Sequence, residues 1–446
     1  MKLTKHKLGE LLDVTRGTSL SGEYFATQGD YMRLTCGNFD YQNNCFKTNT
    51  SKDNLYYTGS FNPEFLMTEG DIITPLTEQA VGLLGSTAWV PESGKYIQSQ
   101  DVAKITPNKK LLDKKFCYYL ISSKVVKHQL SVAAQQTKIR HTSPDKIKDC
   151  TVWIPSLEEQ AQIGQFLYDI DSKIALNRQI NDNLEAMAKQ LYDYWFVQFD
   201  FPDENGKPYK SSSGKMVWNE KLKRNIPELW TDTTLGCICD LYQPQTLGLS
   251  LLSDDEPFKV YGANGIVGHY NKYNHEQSEI AMACRGNSCG VLNRTMPKSW
   301  ITGNAMVIHL KDETINNEFI KQALKYANVK GAISGSGQPQ LTRENLEVLN
   351  IIKPSQRILL LYSNVVAPLV EKEINMEKEI DRLTKQRNTL LPLLMNGQVT
   401  INYHLSIRIK LLEILAYSYF FLNFAELRHS IPTADTQKNE FINLTY

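Results

Sequence analysis

The chain has almost no net charge, no cysteine framework and no apolar run of membrane length, and each absence removes a class of function. Its 446 residues carry 49 Lys and Arg against 48 Asp and Glu, a formal charge of +1, which argues against a polybasic coat for nucleic acid. Eight cysteines are scattered along it, so no disulfide scaffold is expected. Behind the basic start MKLTKHKLGELLDV there is no apolar stretch of signal-peptide length, and the expected compartment is reducing and cytoplasmic. Leu411 to Leu427 is strongly apolar, but Glu413, Asn423 and Glu426 interrupt it and it falls short of the ~20 residues a membrane span needs. No membrane partner is expected.

Bond-making motifs are missing as well. Methyl transfer to adenine needs an Asn/Asp-Pro-Pro-aromatic grip on the flipped base beside a Gly-rich loop for the methyl donor. The nearest string, Asn62-Pro63-Glu64-Phe65, has Glu in place of the second proline and no such loop upstream. Gly94-Lys95, Gly206-Lys207 and Gly214-Lys215 lack the spacing and the hydroxyl residue of a phosphate-binding loop, which excludes a motor ATPase. Pro202-Asp203-Glu204 with Lys207 resembles a metal-dependent nuclease signature, yet its adjacent carboxylates lie in a Gly/Pro-rich stretch and a solvated loop is the expectation. Cys284 and Cys289, near His269 and His275, lack a paired CxxC, as does Cys237-x-Cys239; buried thiols are expected rather than zinc ligands. No catalytic residue, metal or cofactor is assigned to this chain.

What is present is a repeat. Leu8-Gly9-Glu10-Leu11 is echoed by Leu235-Gly236-Cys237-Ile238, Gly70-Asp71-Ile72-Ile73 by Ser278-Glu279-Ile280-Ala281, Asp101-Val102-Ala103 by Asn304-Ala305-Met306, and Gln136-x-x-Ile139 by Gln338-x-x-Leu341. Ile154-Pro155-Ser156 and Ile352-Lys353-Pro354-Ser355 close the two copies. The offset falls from 227 to 208 to 202, so the second copy is shorter and has diverged. A duplicated module is a two-headed object suited to reading two half-sites.

Each copy alternates short apolar runs with Gly, Asn and Ser clusters, the pattern of a β-rich domain with a few helices, one of them expected over 112–130. Ser156, with Glu159 three residues on, supplies a capping box for a long helix. Ile163, Leu167, Ile170 and Ile174 then keep a coiled-coil rhythm, which passes through Asn177 and Asn181 and resumes at Leu184, Ala188, Leu191 and Trp195. The alternative is an amphipathic helix packed on its own domain. In the second copy Ile358, Tyr362, Val365, Leu369, Met376, Ile380, Leu383, Leu390 and Leu394 run the same way, with a stutter between Leu369 and Ile380, to an end at Asn396-Gly397. Each rod would span roughly 60 Å at 1.5 Å per residue, and the two could pair antiparallel.

The expected class is therefore α/β (α+β), with two β-rich domains in tandem, each followed by a long helix. The expected boundaries are 1–155, a helix over 156–200, a turn-rich surface connector over 201–230, 231–353, a second helix over 354–397, and a tail over 398–446 that has no counterpart in the first half.

The candidate recognition residues sit at matching places, one loop before each capping turn: Gln135, Gln136, Lys138 and Arg140 in the first copy, Gln338 and Gln340 in the second; Arg285 is a further candidate, from the second copy's weaker basic set. Gln, Lys and Arg can pair with purine edges in the major groove, and flanking glycines let backbone approach phosphate. Ahead of the first loop lie Lys104, Lys109, Lys110, Lys114, Lys115, Lys124 and Lys127, followed by Lys138, Arg140, Lys146 and Lys148, against only Asp113 and Asp145. Such an excess suits phosphate contact; a solvated basic face is the plainer reading.

The order of a Leu-Gly-Glu start, a Gly-Asp-Ile-Ile strand, Gln-x-x-Ile, Ile-Pro-Ser-Leu-Glu-Glu-Gln and a long helix, given twice, resembles the DNA specificity subunit of Type I restriction-modification systems. Tyr261-Gly262-Ala263-Asn264-Gly265 and Trp300-Ile301-Thr302-Gly303-Asn304-Ala305 are similar to that family's second target recognition domain. The resemblance covers roughly residues 1–400, and its specificity lies in the repeated order. It implies a non-catalytic subunit whose two target recognition domains each read half of a split, asymmetric site on double-stranded DNA, with the helices as a ruler. It also implies that two modification subunits, which carry S-adenosylmethionine and methylate adenine, dock on the chain, and that restriction subunits using ATP and magnesium join them. The last 46 residues depart from the pattern. From the residues alone, the alternative is a coiled-coil adaptor with two ligand-binding heads and no DNA function.

Overall fold

The computed structural model describes residues 1–401 apart from 51–52, 79–81, 134–139, 336 and 338. These residues form two units, one of Met1–Leu176 with residues 380–401, the other of Asn177–Glu379. Gln135, Gln136, Lys138, Gln338 and most of the tail lie outside the described residues.

In the first unit, Thr4–Lys7 pairs antiparallel with Thr151–Ile154, so the start of the chain is tied to the strand that precedes the long helix. A four-stranded sheet follows, in the order Ala88–Trp89, Ile72–Pro75, Val102–Pro107, Leu12–Arg16. Ile72 and Ile73 are both fully buried because the sheet is covered on its two faces: Ile72 packs with Phe116, Leu120 and Leu167, Ile73 with Met32, Phe39 and Val90. The single helix expected over 112–130 is two, Lys114–Ile121 and Lys124–Ala133. The Ser122 hydroxyl donates back to the Tyr118 carbonyl at 3.2 Å and Ser123 Oγ accepts from the Val126 amide, side-chain bonds that end one helix and start the next.

The second unit repeats this order. Thr231–Thr234 pairs with Asn350–Lys353, and the four-stranded sheet runs Leu292–Arg294, Ile280–Ala283, Ala305–Leu310, Cys239–Tyr242. In each unit a second sheet contains a parallel pair, Tyr31–Arg33 with Tyr96–Ile97 and Phe258–Gly262 with Trp300–Ile301. The sequence repeat is thus a repeat of fold.

The 201–230 segment is not the surface connector its turn residues suggest. Met216–Asn219 and Arg224–Pro227 form a hairpin, and Phe201, Ile226 and Trp230 are buried in the core of the second unit, the Phe201 and Trp230 rings stacked with centroids 4.5 Å apart. Phe201 and Trp230, with Tyr209 stacked on Phe201 at 4.8 Å, bury enough apolar surface to outweigh the turn propensity of the stretch, while Trp218 stays exposed. The remaining turn is held by Asp203, whose Oδ1 accepts from the amides of Asn205 and Lys207 at 2.8 Å each.

The first long helix, Leu157–Tyr192, starts at the expected box: Ser156 Oγ accepts from the Glu159 amide and the Glu159 carboxylate accepts from the Ser156 amide. A five-residue π turn, Asp193–Val197, ends it. The second, Gln356–Met395, stops at Gly397, whose φ of +71° suits a residue without Cβ. In each unit the start of one helix lies with the end of the other, so the pair is antiparallel. In the first unit Ile170 and Ile174 meet Ile380 and Leu383, while Ile163, Leu167 and Leu394 join the main core with Leu390 partly buried at its margin. In the second, Leu184 is buried and Ala188 and Tyr192 share a core with Ile358, Tyr362, Val366 and Val370; Leu191 and Leu369 are only partly buried. The seam is therefore shifted there, with Val365 36% exposed and Val366 fully buried. Three successive steps of four from Ile358 to Val370 turn the buried face by about 120° around the helix at 3.6 residues per turn, so the face follows the core of the second unit and departs from a straight heptad seam.

Candidate nucleic-acid interface

The residues flanking each candidate loop lie at the equivalent edge of their own unit. In the first unit the chain beyond Ile72–Pro75 continues as Thr77–Glu78 and pairs with Arg140–His141, Arg140 opposite Glu78. In the second, the chain beyond Ile280–Ala283 reaches Arg285, which bridges to Gln340; the Leu341 amide donates to the Cys284 carbonyl at 3.0 Å and the Gly286 amide to that of Pro339 at 2.9 Å. Arg285 and Gln340, 55 positions apart, are brought side by side, and both are exposed. An Arg and a Gln held together by a backbone bridge offer purine edges two donor-bearing side chains from neighbouring segments.

Arg140 stands differently. Its Nη1 lies 3.4 Å from the fully buried Glu78 Oε1, and its Nη2 donates to the carbonyl of Ser131. Glu78 Oε2 also accepts from the amides of Leu83 and Leu84 at 2.7 and 2.9 Å. A buried carboxylate needs such partners, so Arg140 anchors the stem of its loop. Glu78 follows the Gly-Asp-Ile-Ile strand directly in sequence, the one signal that could have marked it.

Lys127 is half-buried, its Nζ donating to Ser86 Oγ at 3.1 Å, and burial holds its ammonium pKa below the usual lysine range. Much of the positive excess around it is also spent locally. Lys104 pairs with Asp71 at 2.8 Å, Lys148 with Asp13 at 2.5 Å, Lys115 donates to Gln165, and Lys146 to the Ala133 carbonyl. Lys109, Lys110 and Lys124 are exposed and hold outward charge.

Of the second unit's thiols, Cys239 and Cys284 are buried and Cys289 partly so, but Cys237, expected to be buried, is exposed, because the short Leu235–Ile238 helix buries only Leu235. Cys284 Sγ donates to the Asn304 carbonyl at 3.1 Å and accepts from Gln243 Nε2 at 2.9 Å, and burial pushes its pKa up. His275 lies between the Tyr242 hydroxyl and Asn274 Oδ1. Among the described residues no group of three or more His, Cys, Asp or Glu is placed to hold a metal ion, and no helix is long and apolar enough to cross a membrane.

Residues 2–186 and 227–358 match the family described as Type I restriction modification DNA specificity domain. The chain is 25% identical over 313 residues to the Type I restriction enzyme MjaIX specificity subunit of Methanocaldococcus jannaschii, covering 64% of this chain and 69% of that one. It is 22% identical over 379 residues to the HindI specificity subunit of Haemophilus influenzae, covering 68% and 81%. The crystal structure of the Type I restriction-modification S subunit from M. genitalium is similar with a TM-score of 0.54 at 19% identity, over 88% of this chain and 96% of that chain, a likeness of fold.

Proposed function

The chain belongs to the Type I restriction-modification DNA specificity family, and we propose that within it each of its two units reads one half of a bipartite, asymmetric DNA site. Membership carries the DNA-binding role; the division of labour is supported by the fold repeat, in which one strand order and one loop-bearing edge occur twice. A loop whose stem is fixed on a sheet edge can hold side chains against base edges in a groove, and the paired helices act as the spacer between half-sites. Two modification subunits dock on this chain and bring S-adenosylmethionine to the adenines it selects, and restriction subunits joining them supply ATP- and magnesium-dependent cleavage. The chain itself contributes recognition and no bond-making step.

The test is to exchange residues 235–350 for the matching domain of a relative and sequence the methylome of a host carrying the assembled complex. One half of the methylated site should change while the other half, with its adenine, stays. If the exchange alters both halves, the units do not read independently.

A further inference from the structure

The two long helices end at equivalent places, and each end lines a cavity with different walls. Where the first helix ends in the second unit, Tyr192 lines a cavity of about 730 Å³ with Tyr326 and with Ile351 and Ile352 of the strand before the next helix. Its remaining wall includes Lys221, Leu222 and Arg224, from the chain that follows the helix, and that chain is anchored by Phe196, Phe199, Phe201 and Trp230 in the core. Where the second helix ends in the first unit, Met395 and Asn396 line a smaller, apolar groove of about 220 Å³ with Leu120, Val125, Val152 and Trp153. Val152 and Trp153 lie on the strand that corresponds to Asn350–Lys353, and Leu120 on the helix that corresponds to Glu318–Tyr326. Trp153 is 46% and Val125 39% exposed.

The chain after the second helix already turns onto this unit. Gly397 lies against the Leu3 side chain, and Ile401 is partly buried against the core. Forty-five residues follow. The apolar stretch 411–427 is within reach, since the sixteen residues from Met395 to Leu411 can extend to roughly 50 Å. Its composition matches that of the segment covering the other unit: Tyr417, Tyr419, Phe420, Phe421 and Phe424 place five aromatics in eight residues, as Tyr194, Trp195, Phe196, Phe199 and Phe201 do. The charges are complementary too. Lys5 Nζ sits 5.7 Å from the Trp153 ring and Lys124 is exposed nearby in sequence to Val125, while the stretch carries Glu413 and Glu426.

We propose that residues 411–427 dock in cis on the groove formed by Leu120, Val125, Val152, Trp153 and Met395, as the chain after the first long helix packs on the other unit and walls the equivalent cavity with Lys221, Leu222 and Arg224. The tail then has a counterpart after all: the segment that follows the first long helix, which the landmark repeat conceals because the two aromatic clusters begin at different distances from their helices. This inference is independent of the DNA reading.

The test places a photoreactive p-benzoylphenylalanine at Val125 in the full-length chain, with the same residue at the exposed Leu249 of the second unit as control. Irradiation at Val125 should yield an intramolecular link to a peptide within 411–427 whose yield does not change on dilution, and Leu249 should give no such link. Trp153→Asp should reduce the yield by at least about tenfold, since burying an aromatic side chain contributes more than one decade of equilibrium constant. Phe420→Asp with Phe421→Asp, outside the described core, should do the same without perturbing the first unit. Links to a second copy that fade on dilution, links to a modification subunit in the assembled complex, links confined to residues 1–401, or a yield indifferent to these substitutions would each overturn the proposal.

Discussion

Arg387 of the second long helix donates from Nη1 to Asp171 Oδ1 of the first at 2.8 Å, and the other oxygen of that carboxylate accepts from the Tyr119 hydroxyl at 2.7 Å. One side chain thus joins both helices to the helix of the first unit that packs beneath them. Arg387 is only 8% exposed, so the pair sits inside a seam otherwise built of Ile and Leu.

Removing the cation should therefore be costly. Arg387→Met is expected to destabilise the first unit by about 2–4 kcal/mol in urea denaturation, because Asp171 keeps its charge and loses its counter-ion. Adding Asp171→Leu should recover only part of that loss, since the Tyr119 hydroxyl then lacks its acceptor. Full recovery by the double change would show that the hydroxyl bond contributes nothing.

The second unit should weaken in mild acid. Burial, reinforced by His309, lowers the pKa of His275, which is held as a neutral ring with Nδ1 donating to Asn274 and Nε2 accepting from Tyr242. The unfolded chain binds the proton more readily, so stability is complete above about pH 6.5 and declines as pH falls from there toward the lower folded value. Glu279, raised by burial, acts in the opposite sense at lower pH. His275→Gln should flatten the slope below pH 6.5 in a series of denaturation curves; an unchanged slope would assign it to other groups.

Lys127 and Arg285 should separate structural from recognising cations. Lys127→Ala is expected to lower the stability of the first unit by about 1 kcal/mol through loss of the Ser86 bond, with the salt dependence of DNA binding unaltered. Arg285→Ala should instead leave stability intact, weaken specific binding about tenfold and relax readout in one half-site only. Binding isotherms across a salt series on specific and random duplexes decide both.

The helices offer a geometric test. One heptad inserted in each of the two, at matched positions near Asn177 and Glu379, preserves the antiparallel seam and should add ~10 Å, about three base pairs, to the unread gap. An insertion in one helix alone should break the pairing. Methylome sequencing reads the gap directly, and an unaltered gap in the matched insertion would remove the helices from the role of spacer.

Much of this organisation was legible in the chain because local rules govern it. The capping box at Ser156, the apolar rhythm from Ile163 to Ile174 and the stop at Gly397 depend on residues within a few positions of one another, and the fold repeat follows from landmarks in constant order. Legibility failed wherever the deciding partner was distant in sequence. Turn residues over 201–230 pointed to a solvated connector, and only the packed core showed Phe201 and Trp230 stacked within it. Val366 rather than Val365 lines the second helix because the core it faces, and not the heptad, selects the face.

The candidate site divides in the same way. Residue type and repeated position marked the loops and the basic stretch from the sequence alone, since base and phosphate chemistry restricts which side chains can serve. Tertiary structure decided which of those cations are available: Glu78 and Ser86 hold Arg140 and Lys127 from separate segments, whereas the bridge to Gln340 leaves Arg285 outward. A positive side chain has the same charge in any fold, but whether that charge meets a buried carboxylate or solvent depends on residues the local sequence does not contain.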